Sequence, residues 1–310
     1  MAGTSTGGLN SIMLGRLRMS VDEAIDNFID YASAVFGHPR EFYALTPGAK
    51  YSSAKACEAF TKIISNGIGA WDTNLVRDEP FIPFGENGRR TRTLIVSSYR
   101  KNKEVLGYTW KSFGILDSKT QPSHSAKIWE VACATCATPN YFDPAEIKGE
   151  KYYDGTVITG PMMCAIEEIY DLHKMIPAVL VNLGKDGIFR TARGDIPVNI
   201  GERWREFLGR NKQEDAISRP PSPIIFEQSH LKWYLRSRVY TLSPEEDLDD
   251  VPYDDWRPPM LGKQALQKVK DITNDYLEKD EVRAKIRRIA QEAVRIRRAR
   301  ARTEQWKDFV

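Results

Sequence analysis

Cysteine is scarce in this chain. Four residues among 310, Cys57, Cys133, Cys136 and Cys164, are too few and too scattered for a disulfide framework, so a reducing compartment, the cytoplasm, is the expected setting. No window reaches the roughly 18 apolar residues of a membrane-spanning helix. No opening run joins a basic flank to an apolar core and a small-residue cleavage site. Neither sign of charge prevails: 45 Lys and Arg face 42 Asp and Glu, and so slight an excess gives no whole-chain field for nucleic acid.

What is present is a globular balance. The chain is 41% hydrophobic and 10% aromatic, enough for a sizeable core and against whole-chain disorder. Leu9, Ile12, Met13 and Leu17 recur at helical spacing, which predicts a short helix directly behind Ser5. Ser20 and Glu23 form a capping box before Ala24, Ile25, Phe28, Ile29, Ala32, Val35 and Phe36, and Gly37 and Pro39 end that helix. A second helix is expected over 53–65. The stretch 75–90 reads as loop, 93–99 as a buried strand, and 108–113 as another. Ser125 is the expected cap of a helix closed by Pro139, followed by a strand at Lys151-Tyr152-Tyr153, a helix over 161–173 and a strand over 178–183. Residues 209–259 read as mostly loop with one strand at 237–242, and two helices finish the chain, at 261–277 and from Asp280. Strands alternating with helices indicate an α/β fold.

The chemistry starts at Gly3-Thr4-Ser5-Thr6-Gly7-Gly8. Gly-x-Ser-x-Gly marks a strand-to-helix turn whose glycines admit close backbone approach and whose serine stands exposed as a nucleophile. The helix start behind it favours a developing anion. As a pattern it is weak, since a glycine-rich turn gives the same letters; the amphipathic run after Gly8 favours the elbow. Serine needs a base. Asp154, at a strand end before Gly155, is one candidate, against the plain alternative of an Asp-Gly turn. A triad of Ser5, Asp154 and either His173 or His230 is the other, although none of His38, His124, His173 and His230 has a distinctive setting.

Three blocks, Ala2 to Leu9, Ile128 to Phe142 and Tyr153-Asp154-Gly155, resemble successive blocks of the patatin-like phospholipases. Met13 to Arg18, Leu180 to Gly184 and the polar stretch from Tyr234 to Trp256 are similar to fungal members. The resemblance implies a patatin-like three-layer α/β sandwich around a central, mostly parallel sheet. It implies a Ser5–Asp154 dyad that hydrolyses fatty acyl esters of phospholipids or galactolipids through an acyl-enzyme, without metal or cofactor. Gly3, Gly7, Gly8 and Gly155 become motif glycines. Cys133 and Cys136 fall on a helix that the family fills with small residues, which favours core packing over a metal or redox pair.

The chain also departs from that pattern. The family takes its oxyanion donors from an Asp-Gly-Gly-Gly-x-Arg loop ahead of the elbow, and only Met1 to Thr4 precede Ser5. The expectation is therefore a domain truncated just before the elbow, lacking its first strands and that loop, with weak or no activity in this form. Thr156 stands where a small residue is usual and would crowd the base.

Val282, Ile286, Ile289, Ala293 and Ile296 form an apolar stripe on a helix otherwise rich in arginine. Such a helix is solvated, lies on anionic lipid or packs on a partner. The expected organisation is an acyl hydrolase domain at 1–280 and a basic amphipathic helix at 281–310, with peripheral membrane contact through 281–302. The competing functions are a non-catalytic lipid-binding or signalling module on the same scaffold, and an esterase with a histidine triad.

Overall fold

The computed structural model describes residues 1–40, 48–69, 84, 91–101, 104–113, 126–155, 161–173, 177–184, 238–244 and 261–303. These fall into two compact units, Met1–Ala165 and the described residues from Ile166 onward.

The first unit is built around one strand. In β2 (Leu94–Lys101) residues 94 to 98 are all buried, as expected of a strand covered on both faces. Its neighbours account for the burial. β3 (Glu104–Lys111) runs antiparallel along one edge, from Leu94↔Lys111 to Lys101↔Glu104. The other edge is shared end to end: β1 (Ala2–Thr4) pairs in parallel with Leu94 to Val96, and β5 (Glu150–Asp154) pairs antiparallel with Ser97 to Tyr99. β4 (Ala145–Ile147) then pairs with β5.

The sheet is thus mixed. Its β4–β5 pair turns through Lys148 (φ +54°) and Gly149 (φ +81°), the two successive left-handed residues of a tight hairpin turn. Antiparallel pairing comes with such short connections, whereas the parallel β1–β2 pair spans a long crossover. The strand ahead of Ser5, expected to be missing, is present as β1: three residues complete a ladder because Leu94, Ile95 and Val96 already offer a straight edge, and Leu94 N donates to Met1 O at 2.9 Å.

Helices flank the sheet. α1 (Ser5–Ser11) continues as a π-turn over Ile12–Arg16; α2 (Val21–Phe36) has the expected Ser20–Glu23 capping box, with both hydrogen bonds made. α3 (Ser53–Gly69) and α4 (Ile128–Cys136) complete the set. Their apolar faces bury Leu9, Met13, Leu17, Tyr31, Phe60, Ile64 and Val131 against Ile95, Trp110 and Tyr152 of the sheet. Trp110 is fully buried and its ring lies 4.4 Å from Tyr108 and 4.8 Å from Tyr152, while its Nε1–H donates to Ser97 Oγ at 3.0 Å. The polar handle of the indole is thereby satisfied inside the core. Leu94 and Val96, pointing the other way along β2, pack with Ala2 and with Cys164 of α5 (Pro161–His173). Helical layers on both faces of a mixed sheet make an α/β sandwich, as the sequence implies.

Two element boundaries differ from expectation. α4 is capped at Lys127 rather than Ser125, and there Glu130 Oε2 accepts from Lys127 N at 2.7 Å. β3 starts four residues before Tyr108 because its ladder follows β2 along its whole length. Most of 75–90 and of 209–259 lies outside the described residues.

In the second unit β6 (Leu180–Leu183) and β7 (Val239–Leu242) pair in parallel. α6 (Leu261–Glu278) and α7 (Asp280–Arg300) follow. Tyr276 Oη accepts from Ser243 N at 3.1 Å, Lys285 Nζ donates to Thr241 O at 3.1 Å, and Val282 is buried.

Candidate active site

Ser5 sits where β1 ends and α1 begins, with φ at +53°. A non-glycine residue in the left-handed region is held there at a cost of about 1–2 kcal/mol. The surrounding contacts hold it: Ser5 N donates to Thr135 Oγ1 at 2.9 Å, and Cys136 Sγ donates to Ser5 O at 3.4 Å. Thr135 in turn donates to Val96 O at 2.8 Å. One buried threonine at the end of α4 therefore ties the turn to the central strand.

Three of the four motif glycines are required by space. A Cβ on Gly3 would strike the Gly7 carbonyl and come within 2.6 Å of Ser11 Oγ; one on Gly8 would come within 2.8 Å of the Thr135 side chain; one on Gly155 would meet Thr4 Oγ1 at 2.6 Å and Val96 O at 2.7 Å. Gly7 is different: it is exposed and a Cβ there would touch nothing within 4 Å.

Asp154 ends β5 and is 1% exposed. A buried carboxylate needs donors, and Thr138 Oγ1 supplies one to Oδ2 at 2.6 Å, a length typical of a bond to a charged acceptor. Thr4 Oγ1 lies 3.5 Å from Oδ1. The backbone is anchored as well: Asp154 N donates to Ala137 O at 3.0 Å, and Ser98 Oγ donates to Asp154 O at 2.8 Å. The negative charge reaches its neighbours. Cys136 has its thiol pushed well up by burial first and by Asp154 second. Tyr31 is likewise raised, again chiefly by burial.

The sheet register brings the two candidates to one place. Thr4, the residue before Ser5, is paired with Val96, and Asp154 is paired with the next residue, Ser97. Gly155 passes directly over Thr4 and Val96. The supporting residues Thr4, Ser98, Thr135, Cys136 and Thr138 carry no spacing signal of their own, although Thr4 lies inside the Ala2-to-Leu9 block and Thr135, Cys136 and Thr138 lie inside the Ile128-to-Phe142 block.

Of the histidines, His38 is exposed beyond α2 and His173 ends α5; His124 and His230, like Thr156, lie outside the described residues. Among the described residues no group of His, Cys, Asp and Glu is arranged to hold a metal ion. Comparison with protein-family descriptions matches residues 1–163, just over half of the chain, to the patatin-like phospholipases. Among curated proteins no match is found.

Proposed function

Because the chain belongs to the patatin-like phospholipase family, whose members are lipid acyl hydrolases, we propose that Ser5 and Asp154 form a catalytic dyad acting on fatty acyl esters of phospholipids or galactolipids. The observation that carries this reading is their common anchorage on β2, one following the partner of Val96 and the other opposite Ser97.

In the proposed reaction Asp154 takes the proton of Ser5 Oγ as that oxygen attacks the ester carbonyl. The amino end of α1 lies beside the tetrahedral oxyanion and favours its charge. Asp154 then protonates the departing alcohol, leaving an acyl-Ser5 ester. Water, activated by the same carboxylate, releases the fatty acid and restores the serine. Thr138 has two effects: it orients the carboxylate and, by bonding to its charged form, restrains its basicity.

α7 supplies a second element of the proposal, peripheral contact with anionic lipid. Ile286 and Val294 are exposed apolar residues on a helix rich in arginine, a combination suited to the headgroup boundary.

Release of p-nitrophenol from a p-nitrophenyl acyl ester tests the dyad. Ser5→Ala is expected to reduce turnover to background, and Asp154→Asn to lower kcat by about 10²–10⁴-fold, while His173→Ala and His230→Ala leave it unchanged. Loss of activity in either histidine variant would transfer the role of base to a triad. Binding to lipid vesicles, with no ester hydrolysis either by the folded unsubstituted chain or by a version extended upstream through a glycine-rich loop, would favour the non-catalytic lipid-binding module.

A further inference from the structure

We propose that Cys57 and Cys133 form an oxidisable dithiol, a modification site at which a hydroperoxide joins α3 to α4 through a disulfide. The two residues lie on different helices that pack together, and both line a pocket of about 160 Å³ walled by Ala56, Phe60, Trp129 and Phe142. Both residues are partly exposed, and Cys57, the less buried of the two thiols, is the one that a small oxidant meets in the pocket.

Each thiol acts on the other: Cys133 lowers Cys57 below its ordinary value, and Cys133 is itself pushed well up, by burial first and by Cys57 next. The pair is therefore asymmetric: Cys57 is the readier thiolate and hence the attacking sulfur, and Cys133 holds its proton until a partner forms. The other two cysteines are held by other contacts. Cys136 lines the same pocket but is buried and donates to Ser5 O, and Cys164 lies on the opposite face of the sheet with Leu94 and Val96.

The Cys57 thiolate attacks one peroxide oxygen, the O–O bond breaks, and the alkoxide or hydroxide leaves with a proton, giving a sulfenic acid. The Cys133 sulfur then attacks the Cys57 sulfur, the S–O bond breaks, and hydroxide leaves as water with the Cys133 proton. Two thiols are oxidised by two electrons, and one hydroperoxide is reduced to an alcohol, or water, plus water. The cross-link fixes α4 against α3, and the last turn of α4 carries the Thr135 and Cys136 contacts to Ser5.

The test uses the full reduced chain and hydrogen peroxide, followed by thiol alkylation, intact mass and peptide mapping. The expected result is loss of two alkylatable thiols of four, a mass decrease of two hydrogens, and a Cys57–Cys133 linked peptide. Cys57→Ser abolishes the link; Cys133→Ser leaves a sulfenic acid on Cys57 that dimedone traps, with circular dichroism verifying the fold of each variant. Four thiols still alkylatable after peroxide, a Cys133–Cys136 link instead, or irreversible oxidation of Cys57 without any link would each overturn the proposal. Because every readout is covalent and none is turnover, its failure is separate from failure of the Ser5–Asp154 reading.

Discussion

Thr135 meets three constraints at once: it accepts from Ser5 N, donates to Val96 O and fills the space that Gly8 leaves open. A methyl group at position 8 would come within 2.8 Å of this side chain, and Thr135 cannot retreat without giving up its bond to the turn. Gly8→Ala is expected to destabilise the protein by about 1–3 kcal/mol, the usual cost of overpacking a tight site. Gly7→Ala, in open space on the same helix, is expected to be neutral or to add up to about 1 kcal/mol, since alanine is the better helix former. Urea unfolding midpoints of the two variants check the contrast; equal losses would show that the turn itself, not the Thr135 contact, demands glycine at both positions. The strand-to-helix turn at Ser5 was legible in sequence because its signal is local. The threonines were not, because Thr135 lies 130 residues from Ser5 and meets it only after the sheet assembles.

Elements with local determinants were read most accurately. α2 carries its own cap and stripe, and the structure forms it between Ser20 and Gly37 as expected. β4 was not legible, since Ala145-Glu146-Ile147 is too short to show alternation and exists as a strand by virtue of β5. The π-turn at Ile12–Arg16 was equally hidden, because apolar periodicity does not distinguish a π-turn from an α-turn. The cap of α2 also makes a pH prediction. Glu23 is held below its ordinary 4.5 by hydrogen bonds from the backbone and side chain of Ser20. A lowered folded-state value means that this contribution is full above the ordinary value and is lost as pH falls through the lowered one. Glu23→Gln keeps an acceptor for Ser20 N but cannot titrate, so its urea midpoint should fall less steeply between about pH 5 and 3 than that of the unsubstituted chain. Parallel curves would remove Glu23 from the acid sensitivity.

At the scale of the whole molecule, the sandwich was legible from alternating strands and helices and from three blocks in the right order, and the family match spans residues 1–163. The division into two compact units at Ala165 and Ile166 was not, since no composition break marks it inside α5. None of the described helices is long and apolar enough to cross a membrane. Deleting residues 281–310 is expected to reduce binding to anionic vesicles several-fold, and raising the salt concentration should weaken binding of the intact chain. Sedimentation with phosphatidylserine vesicles measures both; unchanged binding by the shortened chain would assign α7 to ordinary solvated surface.

The shared edge of β2 also governs the order in which the site comes into being. Thr4 finds its acceptor on Val96, 92 residues later, and Asp154 lies 150 residues from it. During synthesis the elbow residues emerge first and have no strand to join until Val96 has followed, and no carboxylate beside them until Asp154 has. Contacts this far apart in sequence close late because the loop entropy is spent before they form. Ser5, made well before Val96 and Asp154, thus acquires its strained, held geometry only after both have followed, which keeps the candidate site unformed until the sheet is built.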